Sequence, residues 1–141
     1  MSRNLERTLL YRLVFVSEMV GKIGTDVQSV AEILGVSEHN NRRDEISSAM
    51  MFHEGEAAQL VEGARMDLDR LLARLSNDPR HRNLKVLDDR PVMQRRLRDA
   101  ARLCALDAMQ ARDILYGRRL SDLSSAGLEK LLSCEHVKMA A

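Results

Sequence analysis

The order in which strand-like and helix-like segments alternate is the strongest constraint on what this chain can fold into. Residues 9–17 are rich in β-branched and aromatic side chains and have the length of a central strand. A helix is predicted next, because Thr25 and Gln28 have the spacing of a capping pair and apolar residues follow at helical intervals as far as Gly35. The chain therefore begins as a strand followed by a helix.

The middle of the sequence predicts a hairpin and a second helix. Residues 45–52 and 56–62 lie on either side of a short turn that contains Gly55, which is typical of two antiparallel strands. Leucines at helical spacing then predict a helix over residues 66–75, which ends shortly before Pro79.

The C-terminal part predicts further strands and then helices. Residues 84–87 have strand character, and residues 91–98 are their predicted hairpin partner, with weaker alternation. Apolar residues at helical spacing predict a helix from residue 99 to residue 116 and a last helix over residues 125–133.

This element order predicts an α+β fold. A βαββαβ sequence with a weak fifth strand is that of a ferredoxin-like sandwich, with helices on one face of the sheet and additional C-terminal helices. A chain of 141 residues has the size of one compact domain. We expect residues 1–98 to form the α+β unit and residues 99–141 to form a helical extension packed on the same domain.

Composition excludes several classes of protein. Lys and Arg total 22 and Asp and Glu total 21, so the net charge of +1 does not predict general binding to nucleic acid or to a membrane surface. The N-terminal apolar run is too short to span a bilayer. Only 3% of residues are aromatic, which disfavours base-stacking surfaces. Two cysteines without a Cys-x-x-Cys pair predict a reducing compartment, the cytoplasm.

The motifs of common enzymes are absent from the sequence. It has no glycine-rich phosphate loop and no Gly-x-Ser-x-Gly elbow. The four histidines lie in separate segments without metal-ligand spacing, and they are His39, His53, His81 and His136. These observations predict a protein that is not an enzyme and holds no metal.

Four segments, in order, carry a family resemblance. They are Leu-Tyr-Arg-Leu-Val-Phe-Val-Ser at 10–17, Ser-Glu-His-Asn-Asn at 37–41, Gln-Leu-Val-Glu-Gly at 59–63 and Asn-Asp-Pro-Arg-His at 77–81. Together they resemble the BLUF family, the flavin-binding sensors of blue light. The resemblance implies a ferredoxin-like fold with C-terminal helices, FAD as cofactor, and signalling through a protein partner.

The resemblance also implies a cofactor site. Asn41, with Asn40 before it, falls where the family uses an asparagine to hold the edge of the isoalloxazine, and Gln59 falls where the family has its switching glutamine. Arg80 and His81 match a pair near the ribityl and phosphate end. Taken singly, these residues have structural alternatives: a turn for Asn41, the solvent side of a strand for Gln59, and the end of a helix for the Arg80–His81 pair.

Departures from the family pattern change the expected function. Phe15 stands where the family carries the tyrosine that donates an electron and a proton to the excited flavin, and a phenyl ring has no acidic hydrogen. Ser47 and Ser48 replace Thr and Gly, and Ala100 and Arg102 align with the Trp and Met of the last strand, which suggests that this strand has become the start of a helix. The departures predict that photochemistry is lost and that FAD binding is weak or absent.

A basic stretch over residues 80–102 is the remaining candidate site. Four of its cations are candidates for an interaction surface, namely Arg90, Arg95, Arg96 and Arg98. The stretch is interpreted as a solvated surface, as a docking site for an acidic protein partner or, less in keeping with the composition, as a nucleic-acid site.

The sequence thus predicts a non-enzymatic, cytoplasmic regulator with a BLUF-like fold that acts through protein–protein contact. Two alternatives stay open: an FAD-binding blue-light receptor with an altered photocycle, and a nucleic-acid binder that uses the basic stretch.

Overall fold

The computed structural model describes residues 9–133 of the chain. Within residues 9–133, five strands form one sheet in the order β4-β1-β3-β2-β5. They are β1 (Leu10–Met19), β2 (Ser47–His53), β3 (Glu56–Gly63), β4 (His81–Val92) and β5 (Arg102–Leu103). All neighbouring pairs are antiparallel except β2 and β5, which are parallel. The predicted α+β ferredoxin-like fold is confirmed.

In the described part of the chain, four α-helices cover the sheet. They are α1 (Val27–Arg43), α2 (Arg65–Ser76), α3 (Ala108–Leu115) and α4 (Ser125–Leu132), with a 3-10 turn at Leu120–Asp122. Alternate residues of β1 face opposite sides, as the pleat requires. Phe15 packs in the core beneath α2, whereas Val14 and Val16 pack with the C-terminal helices.

Both faces of the sheet are therefore buried, whereas the sequence analysis placed the helices on one face. Leu115 of α3 and Leu128 and Leu132 of α4 share a core with the sheet residues Val14 and Leu60. In the part of this C-terminal segment that the structure describes, helix α4 packs directly on β1, β2 and β3, and the 3-10 turn packs on β3.

Helix α1 is longer than predicted. Its N-cap is Asp26, which accepts a hydrogen bond from the amide of Ser29, rather than Thr25. Gly35 lies inside the helix, not at its end, and is exposed. A single glycine costs only about 1 kcal/mol in a helix. The buried residues Ile33 and Asn41 anchor the same helix on the sheet, so it continues to Arg43.

The predicted β2–β3 hairpin, the second helix and the last helix are confirmed with shifts of one or two residues at their ends. The hairpin predicted over residues 84–87 and 91–98 is wrong. Residues 81–92 form one edge strand that pairs with β1 along almost its whole length, because β1 offers a free edge there. The following residues, 93–101, form an irregular connection to β5.

The helix predicted from residue 99 is also wrong in its first part. Arg102 and Leu103 pair with Ala49 and Met50 of β2, so the last strand is retained, although it is only two residues long. Helix α3 begins later, where Asp107 and Gln110 form a reciprocal capping box. Arg102 is half-buried and lies 3.7 Å from the Asp99 carboxylate, so its charge is compensated.

Two further structural findings concern the helices and Cys104. None of the helices within residues 9–133 is both long and apolar enough to cross a bilayer. Cys104 is buried and disulfide-bonded, which the sequence analysis did not predict. Because disulfides are rare in reducing compartments, the cysteine count no longer supports a cytoplasmic location, which stays a prediction.

Candidate functional site

The candidate site lies on the face of the sheet that α1 and α2 cover. Phe15 of β1 is opposite Gln59 of β3, and Gln59 is opposite Met50 of β2. Met50 is in turn paired with Leu103 of β5. Residues paired in this way point to the same face, so these four side chains form a row across the middle of the sheet.

Gln59 is a polar residue between two apolar clusters. Phe15 belongs to the cluster under α2, and Met50 belongs to the cluster under α1. The Gln59 side chain is buried rather than on the solvent side of its strand, and its amide has no hydrogen-bond partner within the described range 9–133. The buried side-chain atoms without a hydrogen bond in the described residues are Asn41 Oδ1 and Arg74 Nη2, so the Gln59 amide still reaches solvent and is open to a ligand.

Asn41 lies next to this row and is held by other residues. It is on the last turn of α1, not in the turn that the sequence alternative required, and is only 2% exposed. Its side-chain nitrogen donates to Ser48 Oγ at 3.1 Å and to the backbone oxygen of Ala100 at 2.8 Å. Its side-chain oxygen is buried and has no partner in the described residues. Asn40 lies beside it on α1 and is half-buried.

Arg80 and His81 are at the end of the site where β4 begins. The Arg80 guanidinium makes three hydrogen bonds of 2.7 to 3.2 Å with the Asp78 carboxylate, and this pair holds the pKa of Asp78 below its ordinary value. Glu32 of α1 also interacts electrostatically with Arg80. Arg80 therefore lies in the loop that follows α2, within electrostatic reach of α1.

His81 is buried beneath this loop. Its Nδ1 atom is 2.9 Å from Ser17 Oγ, and Ser17 is two residues beyond Phe15 on the same face of β1. Burial lowers the pKa of the His81 imidazole, and nearby Asp78 opposes this shift. The structure thus brings Asn41, Gln59, Arg80 and His81 to one face of the sheet.

The four arginines proposed for interaction lie outside this site and are largely engaged within the molecule. Arg90 and Arg96 both pair with Glu129 of α4, at 2.7 and 2.8 Å. Arg95 donates to Ser47 Oγ and to the backbone oxygens of Glu45 and Glu62. Among the described residues only Arg98 of the four has no such partner. The basic stretch is thus a strand and a loop tied to the sheet and α4, rather than a hairpin in solvent.

Sequence reasoning missed Glu62 and the role of Ser48. The Glu62 carboxylate is completely buried and accepts hydrogen bonds from Arg12, from Ser47, and from the backbone amides of Arg96 and Leu97. A charged residue within an apolar strand was the available signal. Nothing in the local sequence indicated that Ser48 would contact Asn41, because the two are on different elements.

The structure brings together no group of three or more potential metal ligands in the part of the chain that it describes. The polar groups of the site are instead amides, one imidazole and one guanidinium. These groups suit an uncharged heterocycle with hydrogen-bonding edges and an anionic tail.

Comparison with known proteins identifies the family. The family model for BLUF, sensors of blue light using FAD, matches residues 10–102, well over half of the chain. The chain belongs to the BLUF family. It is 37% identical over 90 residues to a photoactivated adenylate cyclase subunit beta-like protein of Euglena gracilis, a match that covers 64% of this chain and 10% of that protein. The chain thus spans about a tenth of the curated relatives that it matches.

Solved structures give the same fold. A bacterial light-regulated adenylyl cyclase is 26% identical with a TM-score of 0.67, and the match covers 74% of this chain and 31% of that one. The BLUF protein BlrB in its dark state is 24% identical with a TM-score of 0.74, over 91% of this chain and 98% of that one. BlsA in its photo-activated state has a TM-score of 0.80 at 18% identity, over 94% of this chain and 99% of that one. The last two support the fold alone.

Proposed function

We propose that this chain is a non-enzymatic regulatory BLUF domain that binds FAD, lacks the tyrosine-dependent photocycle and passes its signal on through protein contact. The observation that carries the proposal is the row Phe15–Gln59–Met50. It keeps a glutamine amide that makes no hydrogen bond within residues 9–133 where the family has its switching glutamine, and it holds no phenol beside that amide.

The residues present fit the flavin. The edge of an isoalloxazine offers an imide N–H and two carbonyl groups, which match the unpaired oxygen of Asn41 and the amide of Gln59. Arg80 and His81 would lie toward the anionic tail. This fit favours retention of FAD, in contrast to the weak or absent binding that the departures in the sequence predicted. When bound, the flavin would supply absorption of blue light.

Loss of the photocycle follows from the aromatic residues. The chain has two tyrosines and no tryptophan. Tyr116 is 78% exposed beyond α3. Tyr11 is on β1, four residues before Phe15 and therefore about 13 Å away along the strand. Its ring lies against the Arg65 guanidinium, 4.8 Å from the ring centroid. Neither phenol can donate a proton at the position of Phe15.

A visible absorption spectrum of the protein with FAD, before and after blue light, tests the proposal. The protein is expected to show a flavin band that does not shift to the red. In Phe15→Tyr, the matched variant, a phenol would be opposite Gln59 and could donate to its amide oxygen, so a light-induced red shift is expected. A red shift in the unaltered protein would show a photoreceptor with another donor, and absence of the band from both proteins would overturn FAD binding.

The C-terminal segment is proposed as the output region. Residues 99–141 would act as an extension of the same domain, supported by the packing of α3 and α4 on the sheet opposite Gln59. Arg98 supports a partner contact at the neighbouring loop, because it is exposed beside an open cleft of about 700 Å³ that Asn41 and Ala100 also line. The internal pairing of Arg90, Arg95 and Arg96 gives no support to nucleic-acid binding.

A further inference from the structure

Ser48 makes a set of contacts that connects the candidate flavin site to the segment before β5. Its side chain is completely buried, and its hydroxyl donates to the backbone oxygen of Ala100 at 2.7 Å. Its own backbone amide donates to the backbone oxygen of Asp99 at 2.9 Å. Ser48 is thus fixed at both its side chain and its main chain.

The same hydroxyl controls the side-chain amide of Asn41. Because the hydroxyl hydrogen is used on Ala100, the oxygen presents a lone pair to Asn41 and can only accept from it. The carbonyl of Ala100, the other neighbour of this amide, can also only accept. Both contacts therefore require the nitrogen of Asn41, at 3.1 and 2.8 Å, and the opposite orientation of the amide would place two oxygens against two acceptors.

The side-chain oxygen of Asn41 is therefore left as a hydrogen-bond acceptor. It is buried and unpaired among residues 9–133. Ser48 is two residues from Met50 on the same face of β2, and its strand partner Val61 is two residues from Gln59. The oxygen therefore belongs to a residue adjoining the row of Gln59, and a ligand bound there must offer it a hydrogen-bond donor.

We propose that Ser48 is a positioning residue for the cofactor: it holds the Asn41 amide with its oxygen as the acceptor, which selects a ligand with a polarised N–H at this edge, such as the imide N–H of an isoalloxazine. This inference rests on the proposed FAD binding. Ser48 stands where the family resemblance expects glycine. The inference gives this substitution a function.

Ser47 provides a matched control, because it is the adjacent residue and has the same side chain on the opposite face of β2. Its hydroxyl contacts Glu62 and Arg95 and makes no contact with Asn41. Ser47→Ala removes a buried hydroxyl of the same strand but leaves the Asn41 amide in place.

The experiment is a double-mutant cycle on the dissociation constant of FAD, measured by titration for the unaltered protein, Ser48→Ala, Asn41→Ala and the double variant. Loss of one neutral hydrogen bond corresponds to about a five-fold weaker dissociation constant, which is expected for Ser48→Ala. No further weakening is expected when Ser48→Ala is added to Asn41→Ala, and Ser47→Ala should bind as the unaltered protein does. In the flavin-free protein, the side-chain amide resonances of Asn41 should shift in Ser48→Ala and stay in place in Ser47→Ala.

The outcomes separate the two proposals. Unaltered protein that does not bind FAD overturns the proposed function and, with it, this inference. Binding by the unaltered protein with no loss in Ser48→Ala, or with an equal loss whether or not Asn41 is present, overturns the role of Ser48 alone. If Ser48→Ala does not fold, Ser48→Cys, which nearly keeps the volume and replaces the hydroxyl by a weak hydrogen-bonding group, takes its place in the cycle.

Discussion

The two faces of β3 differ in whether their polar side chains have hydrogen-bond partners. Glu62 faces the C-terminal helices, and all of its oxygens receive hydrogen bonds from Arg12, Ser47 and the loop after β4. Gln59, three residues earlier, faces α1 and α2 with no partner among the residues described. On the Glu62 face the hydrogen bonds are complete without a ligand, whereas on the Gln59 face an amide is available to a ligand.

This difference separates a polar residue that stabilises the fold from a polar residue that is available to a ligand. A buried charge with several donors holds the loop after β4 on the sheet, and its removal leaves those donors unpaired. The Gln59 amide makes no hydrogen bond within residues 9–133 and still reaches solvent, so it contributes little to the stability of the ligand-free protein and is open to a ligand. Substitution should therefore lower the stability on the Glu62 face and leave it nearly unchanged on the Gln59 face.

The largest effect is expected from Glu62→Gln. The change removes the charge that compensates the Arg12 guanidinium, whose side chain is only 12% exposed. We expect the free energy of unfolding to fall by about 3 kcal/mol, as is typical when one partner of a buried ion pair is lost. Urea denaturation measures this, with Glu54→Gln in the exposed β2–β3 turn as the control. A loss below about 1 kcal/mol would contradict the structural role of Glu62.

A smaller effect on stability is expected from Gln59→Leu. Replacing this amide, which makes no hydrogen bond within residues 9–133 and reaches solvent, by an apolar group should change the free energy of unfolding of the FAD-free protein by less than about 0.5 kcal/mol. The same variant should bind FAD less tightly, because the amide faces the proposed site. Thermal or urea denaturation and FAD titration are the measurements, with Gln28→Leu on the exposed face of α1 as the control. Destabilisation of the FAD-free protein would show that Gln59 has a structural partner.

The smallest effect on the free energy of unfolding is expected from a change of pH. Burial holds the pKa of His81 below its ordinary value of 6.5; Asp78 opposes this shift and Arg80 adds to it. Between these two pKa values the unfolded chain binds more protons than the folded protein. Stability from this group is therefore complete above about pH 6.5 and decreases as the pH falls through that value.

Unfolding free energies at about pH 7.5 and about pH 5.5 measure this dependence. His81→Gln keeps a hydrogen-bonding group near Ser17 and does not titrate in this range, so it should lose less stability on acidification than the unaltered protein. An equal loss in both proteins would assign the pH dependence to other groups.

The sequence predicted the parts of the fold that depend on local pattern. The β2–β3 hairpin, α2 and α4 have periodic apolar residues and clear turn or cap residues, and they appear within two residues of the expected bounds. The errors fall where tertiary contacts override local preference. Residues 81–92 form one strand because β1 offers a long edge, and α1 continues through Gly35 because Asn41 is anchored on β2.

The candidate site shows the same division. The spacing of Asn41, Gln59, Arg80 and His81 was enough to identify the family and to name these residues. Their partners were not accessible, because Asn41 is paired with Ala100 across 59 positions and His81 with Ser17 across 64. The internal pairing of Arg95 with Glu62 likewise depends on which loop lies over which strand.

By itself the sequence determined the order of the main elements, the family and the loss of a phenol at position 15, since these depend only on the identity and spacing of residues. The tertiary structure decided that a two-residue strand survives at Arg102, that the basic loop is tied to Glu62 and Glu129, and that Ser48 orients Asn41. Each of these depends on hydrogen bonds between residues far apart in the chain, and a hydrogen bond forms only where folding brings a donor and an acceptor within about 3 Å.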